Sequence, residues 1–221
     1  MSDVLGPGPR TRVRRLPEKA RYDRAAIYQV LDEAPFCHVA AVVDGLGVAL
    51  PTLAAREADT LYIHGSRSNQ IMRAVRDRGE AWVTATLYDG IRVARSSFES
   101  SIAYRSVVVV GPVREVRSLE ERRRVLERIT DVILPGRNSE IRPSTESEIR
   151  RTMVLALDIA EASLKVSAGP TDDPPEDQAL PIWSGLVPAR LVYDDPVPSS
   201  DGAMSTGLPV PESVRRRIAR S

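Results

Sequence analysis

Apolar residues at Ala26, Ile27, Val30, Leu31 and Ala34 recur at helical spacing and stop at Pro35, which predicts a helix over Arg21 to Ala34. Phe36 to Val43 is a continuous apolar run and predicts a strand buried on both faces. Asp44-Gly45-Leu46-Gly47 is a hairpin signal, and Val48 to Ala54 is its return strand. Pro51 assigns that return strand to an edge or a bulge, because proline gives no donor to a ladder. Arg56 to Asp59 reads as a turn. From Thr60 to His64 the period is two, with Leu61 and Ile63 against Tyr62 and His64. Gly65, Ser66, Arg67 and Ser68 then make a turn into a helix whose face carries Ile71, Ala74 and Val75, with Gly79 as its cap.

Ala81 to Tyr88 is the next strand, and Asp89-Gly90 is a second hairpin signal leading into Ile91 to Ala94. Arg95 to Ser101 is a polar loop, followed by the longest strand, Ala103 to Val116, with a bulge or kink at Gly111-Pro112. Ser118 and Glu121 have capping-box spacing and open a helix that runs to about Leu134. Ser144 to Arg151 is a short helix, and Thr152 to Val166 is a last strand. The sum is mainly β with flanking helices. Short strands at hairpin distance predict an antiparallel barrel of about six to seven strands.

Composition sets the domain limits. Residues 1–20, rich in Gly, Pro and Arg, read as a flexible arm; 21–167 read as the barrel domain; 168–221 read as a Pro-rich extension with a basic end, Arg215 to Arg220. The chain has 221 residues and a net charge of +1, which argues against a nucleic-acid partner overall. Cys37 is the single cysteine, so no internal disulfide forms, and the reading is a cytoplasmic protein. No apolar run reaches the roughly 18 residues of a membrane span, and no secretory signal opens the chain.

Few chemical signatures survive this filter. Two His and one Cys are too few for a metal site, and Cys37 and His38 point to opposite faces of a strand. A Walker loop and a G-x-G-x-x-G loop are both missing, as is a G-x-S-x-G elbow. What remains is the strand–turn–helix from Thr60 to Arg78. A guanidinium and two hydroxyls beside the free N–H groups of a helix start suit a phosphate, although Gly/Ser turns are also common as plain connections. The second candidate is Ser100 to Gly111, where Tyr104, Arg105 and Ser106 lead into an apolar strand.

In this order, LYIHGSRSNQI, YRSVVVVG and a C-terminal IWSG resemble the pyridoxamine 5′-phosphate oxidase-like superfamily of FMN-binding split β-barrels of Greek-key type. The resemblance covers about Arg21 to Leu191 and is nearest to the flavin-nucleotide-binding branch that includes the nitroimidazole-resistance proteins. It implies a strand containing Pro51, Thr52 and Leu53 along the isoalloxazine, and His64-Gly65 near the ring and ribityl chain. Ser66-Arg67-Ser68 resembles the phosphate grip, with Ser68 where the family oxidases carry a lysine. Tyr104, Arg105 and Ser106 resemble a segment that the partner subunit brings to the flavin, and Trp183 resembles a residue that approaches it from the C-terminal side. The oxidases follow that Trp with Arg-x-His. Here Arg190 stands one residue late and Val192 takes the place of His, which argues against pyridoxamine phosphate as substrate.

The resemblance thus implies a homodimer with flavins at the interface and an oxidoreductase acting on a small molecule. His64 is the candidate catalytic group, either holding substrate or donating a proton, with a structural hydrogen bond as the alternative. A non-catalytic binding protein of the same fold, holding flavin, deazaflavin or haem, is the second reading. The third is an interaction protein that docks through its Arg-rich ends.

Overall fold

The computed structural model describes residues 3–199 and 207–219. Two long strands, β6 (Glu80–Val93) and β7 (Ser101–Glu115), pair antiparallel and form the spine. Along the free edge of β6 lie β2 (Cys37–Val43) and, further on, β10 (Gly185–Pro188). Along the free edge of β7 lie β9 (Glu161–Ser167) and then β8 (Thr152–Asp158). β3 (Leu46–Thr52) pairs with β2, β5 (Thr60–Ser66) with β8, β4 (Ala54–Glu57) with β5, and β1 (Ala20–Arg21) with β9. The order β3-β2-β6-β7-β8-β5-β4 begins and ends on strands that Leu53 alone separates in sequence. The barrel is therefore closed by the chain, not by a ladder. Across this seam Thr52 Oγ1 donates to the carbonyl of His64 at 3.5 Å.

Two apolar layers hold the sheet. Inside the barrel, Leu61, Ile63, Val83, Val107 and Leu155 pack with α1 (Arg24–Glu33) and α2 (Gln70–Arg78). On the opposite face of β5 and β8, Tyr62, Val154 and Ala156 lie beneath Val125 and Ile129 of α3 (Leu119–Ile133). The period of two in β5 thus divides its side chains between the two layers. Short helices α4 (Glu146–Arg151), α5 (Pro175–Gln178) and α6 (Glu212–Ile218) complete the chain.

Several expectations change. The sheet has ten strands rather than six or seven. β2 is buried on one face only: Cys37, Val39 and Ala41 face inward while Val42 is exposed. Arg56 and Glu57 belong to strand β4, so the turn shrinks to Ala58 and Asp59. Asp89-Gly90 is not a hairpin. β6 runs through it with a register irregularity, because β10 pairs with Gly90 to Val93 and carries the strand onward. A Cβ at Gly90 would lie 2.3 Å from the carbonyl of Val187, and its φ of 147° suits glycine alone.

Thr152 to Val166 is two strands on one edge of β7. Val113 and Val110 of β7, three residues apart, face Leu157 and Glu161, four apart. One extra residue opposite Gly111-Pro112 bends the edge into the barrel corner. Ser118 caps α3 through the N–H of Glu121, but the Glu121 carboxylate turns to Arg114, so the reciprocal half of the box is missing; the complete box is Thr145–Glu148 on α4.

The N-terminal arm is held by its own barrel. Leu5 is buried in the core, Leu5 N donates to Tyr22 O, and Arg10 and Thr11 both reach Glu161, at 2.5 and 3.3 Å. Of the basic end, Arg215 to Arg217 lie on α6, whose Ser213 donates to Glu140 from both its hydroxyl and its backbone. Met1, Ser2 and Arg220 lie outside the described residues. Among the described residues no helix is long and apolar enough to cross a membrane.

Candidate functional site

The seam of the barrel and the end of β5 meet at one place. β5 pairs with β8 through Ser66 opposite Thr152 and His64 opposite Val154. That register brings the last residues of α4 against the turn that follows β5. Gly65 permits a close approach: a Cβ there would lie 2.9 Å from Met72 Cγ of α2. Thr52, Leu53, His64, Gly65, Ser66, Arg67 and Ser68 are thereby gathered at one end of the barrel.

The turn is held by side chains. Ser66 Oγ and Ser68 Oγ lie 2.8 Å apart, and Ser66 Oγ also accepts from Ser68 N. The helix start differs from expectation, because Asn69 Oδ1 accepts from both Ile71 N and Met72 N, at 2.9 and 3.2 Å. Those two N–H groups are capped and unavailable to an anion. What the turn still offers an anion is its hydroxyls and its guanidinium.

Arg67 is pre-positioned. Its Nε donates to the carbonyl of Arg150 at 2.9 Å and its Nη2 to Glu115 at 3.0 Å. Glu115 also meets the buried Arg122 at 3.4 Å, whose Nε donates to Val116 O at 2.6 Å. Burial and the neighbouring charge of Arg67 lower the pKa of Arg122, while Glu115 opposes that shift. Arg67 Nη1 has no partner among the described residues and is free for a ligand. Ser66, Arg67 and Ser68 open on a cleft of about 540 Å³ whose other wall is α4.

His64 serves a second cleft, of about 330 Å³, between the seam and α3. Its lining is mixed: Leu53, Leu126, Ile129, Ile133 and Ile141 supply apolar surface, and Glu127, Thr130, Asn138 and Arg142 supply polar groups. His64 Nδ1 is buried with no hydrogen-bond partner among the described residues. Burial lowers its pKa from the ordinary histidine value, which favours the neutral imidazole. The structural hydrogen bond considered for this side chain is not made at Nδ1. The ring lines the cleft, but Nδ1 itself is buried, so a ligand could reach it only after the ring turned. Cys37 has no such role: burial pushes its thiol up to about 12, so it stays protonated.

The remaining candidates lie elsewhere in the chain. Glu115 touches Arg67, and Tyr104 stands eleven residues earlier on β7, roughly 35 Å of strand. Arg105 gives Nε and Nη2 to Asp89 and Nη1 to Glu33, so its donors are spent within its own chain. Ser106 hydrogen-bonds Thr86 at 2.9 Å. Trp183 is 65% exposed and folds back over Gly185 beside β10. Pro51 is exposed on the edge strand β3. Sequence reasoning missed Glu115, Arg122, Arg150 and Arg151, because only the β5–β8 register carries α4 to the turn. Ile129 and Ile133 of the helix that Ser118 opens gave no sign in sequence of facing a cleft.

Comparison with known proteins extends this geometry. A family model described as pyridoxamine 5′-phosphate oxidase matches residues 23–166. The structure of the flavocytochrome Anf3 from Azotobacter vinelandii is 33% identical, covers 95% of this chain and 96% of its own, and superposes with a TM-score of 0.88. The FAD and haem binding protein from Mycobacterium smegmatis is 41% identical over 90% of this chain and 96% of its own, with a TM-score of 0.83. A putative 5-nitroimidazole antibiotic resistance protein from Bacteroides thetaiotaomicron shares the fold at 18% identity and a TM-score of 0.55, over 77% of this chain and 90% of its own. No curated protein matches the sequence. The chain belongs to the pyridoxamine 5′-phosphate oxidase family of split β-barrels.

Proposed function

We propose that this protein is a flavin- and haem-binding oxidoreductase. The observation that supports the reading is the junction of two clefts: a Ser-Arg-Ser turn with one free guanidinium nitrogen, and beside it a cleft of mixed lining that the His64 ring borders. The similar A. vinelandii protein is a flavocytochrome, and the M. smegmatis one binds FAD and haem, which favours a dinucleotide over FMN and adds haem to it. Arg67, Ser66 and Ser68 hold a flavin phosphate, and the edge of β3 at Pro51 to Leu53 lies alongside. If haem binds at the second cleft, His64 would supply an imidazole nitrogen to its iron once the ring turned, and Leu126, Ile129 and Ile133 of α3 would pack against the macrocycle. When bound, flavin exchanges electrons in pairs and haem one at a time, so together they couple two-electron donors to one-electron acceptors.

The test is a spectrum of the full chain mixed with FAD and haemin and passed through a desalting column. Retained flavin and Soret bands are expected; a colourless protein refutes the reading. Arg67→Ala is expected to weaken flavin binding roughly 10- to 150-fold, the worth of a hydrogen bond to a charged group. Fluorescence titration measures it, and an unchanged Kd removes Arg67 from the site.

The protein acts as a homodimer in this reading. Val187, Ile91 and Ile102 are cross-strand neighbours on β10, β6 and β7, and all three are about half exposed, as is Tyr88 one step along. This apolar row lies beside Tyr104 and Trp183, which are far from Arg67 of the same chain, so a second copy is what would bring them to a flavin. Light scattering is expected to give twice the chain mass for wild type and the monomer mass for Ile102→Glu. A monomeric wild type at micromolar concentration removes the proposal.

A further inference from the structure

The cleft beside Ser66 holds more cations than its turn supplies. Ser68 leaves the turn with one guanidinium, Arg67, yet Arg150 and Arg151 of α4 enter the same cleft. The Ser66–Thr152 pairing places them there, and Arg67 N donates to the carbonyl of Arg151 at 3.5 Å. The two α4 arginines differ in their commitments. Arg150 is paired with Glu146, one helical turn back. The side chain of Arg151 has no hydrogen bond or ion pair among the described residues. Ser147, four residues earlier and on the same helical face, also lines the cleft.

Among the described residues, Arg67, Arg150 and Arg151 at the cleft and Arg122 behind it face the carboxylates of Glu115 and Glu146, a formal excess of two positive charges. A diphosphate diester carries two negative charges. We propose that Arg151 and Ser147 form a second phosphate seat, distinct from the first seat on Arg67, Ser66 and Ser68, so that the cleft takes a diphosphate rather than a single phosphate. The identity of that diphosphate as a flavin dinucleotide rests on the flavin reading above; the chemistry of the seat does not. The positive field over so short a span also accounts for the shared carboxylate of Glu115, which keeps Arg67 and Arg122 from repelling each other.

The test is calorimetric titration of the cofactor-stripped full chain with inorganic pyrophosphate and with phosphate, followed by fluorescence titration with FAD and FMN. Wild type is expected to prefer pyrophosphate to phosphate by about 10-fold, the worth of one charge-assisted hydrogen bond. Arg151→Gln is expected to weaken pyrophosphate and FAD by about 10-fold while changing phosphate and FMN by less than about twofold. Arg151→Lys should keep most of the preference, and Ser147→Ala should lose part of it. Arg151 is exposed, so circular dichroism of these variants should match wild type. Wild type without a preference, or equal loss of mono- and diphosphate ligands in Arg151→Gln, overturns the second seat. Wild type that binds pyrophosphate through Arg151 but takes up no flavin would overturn the flavin reading and leave the seat supported.

Discussion

His64→Ala is expected to lose the Soret band on reconstitution with haemin while keeping its flavin. His64 carries the one imidazole among the residues that line the α3 cleft, and its Nδ1 has no hydrogen-bond partner among the described residues. Loss of groups that merely orient a metal ligand costs about 10- to 100-fold in affinity, so loss of the ligand itself is expected to cost on the order of 100-fold or more. Flavin is expected to be spared because the proposed phosphate seat begins two residues later, on Ser66, Arg67 and Ser68. The seam also survives, since Thr52 bonds the backbone carbonyl of His64 and not its ring. An undiminished Soret band in the variant would eliminate His64 as the ligand.

The same residue sets a pH dependence in the cofactor-free protein. Burial lowers the pKa of His64 in the folded chain, while the unfolded chain keeps a value near 6.5. Between these values the unfolded state binds the extra proton, so stability is full above 6.5 and falls as pH drops through the window toward the folded pKa. Melting temperature is expected to fall from pH 7.5 to 5.5, and to fall less in His64→Gln. Carboxylates held low, such as Glu140 at about 2 through its bonds to Ser213, titrate below this range and do not confuse it.

Gly111→Ala is expected to remove most of the stability. At this residue β7 leaves β9 and takes β8, and a Cβ would lie 1.8 Å from the carbonyl oxygen of Asp158 and 3.1 Å from its carbon. The obstacle is backbone that already accepts a hydrogen bond from Ala160 N at 2.8 Å, so it has little freedom to withdraw. The loss is expected to exceed about 4 kcal/mol, the range of the most damaging substitutions, against a total of roughly 5–15 kcal/mol for a domain. Gly47→Ala is the control, because nothing lies within 4 Å of its added methyl, and it is expected to change stability by less than about 0.5 kcal/mol. Denaturant unfolding reads both; a Gly111→Ala midpoint equal to wild type would show that the corner yields.

Sequence by itself determined the features that depend on neighbours in the chain. The α1 stripe of Ile27, Val30 and Leu31, the Asp44-Gly45 hairpin, the edge position of Pro51, the Gly79 cap and the turn at Ser66 to Ser68 follow from local periodicity and backbone preference. Resemblance in the order of motifs was enough to indicate the family. Tertiary structure decided whatever depends on which strand lies beside which. Asp89-Gly90 reads as a hairpin until β10 arrives to continue β6. Thr152 to Val166 reads as one strand until β7 imposes a corner on it. The free N–H groups expected at the start of α2 are taken by Asn69, whose side chain accepts from two of them as N-cap asparagines do. Arg151 and Ser66 lie 85 positions apart, and no periodicity links them; the β5–β8 register does, because pairing fixes position in space to within one residue.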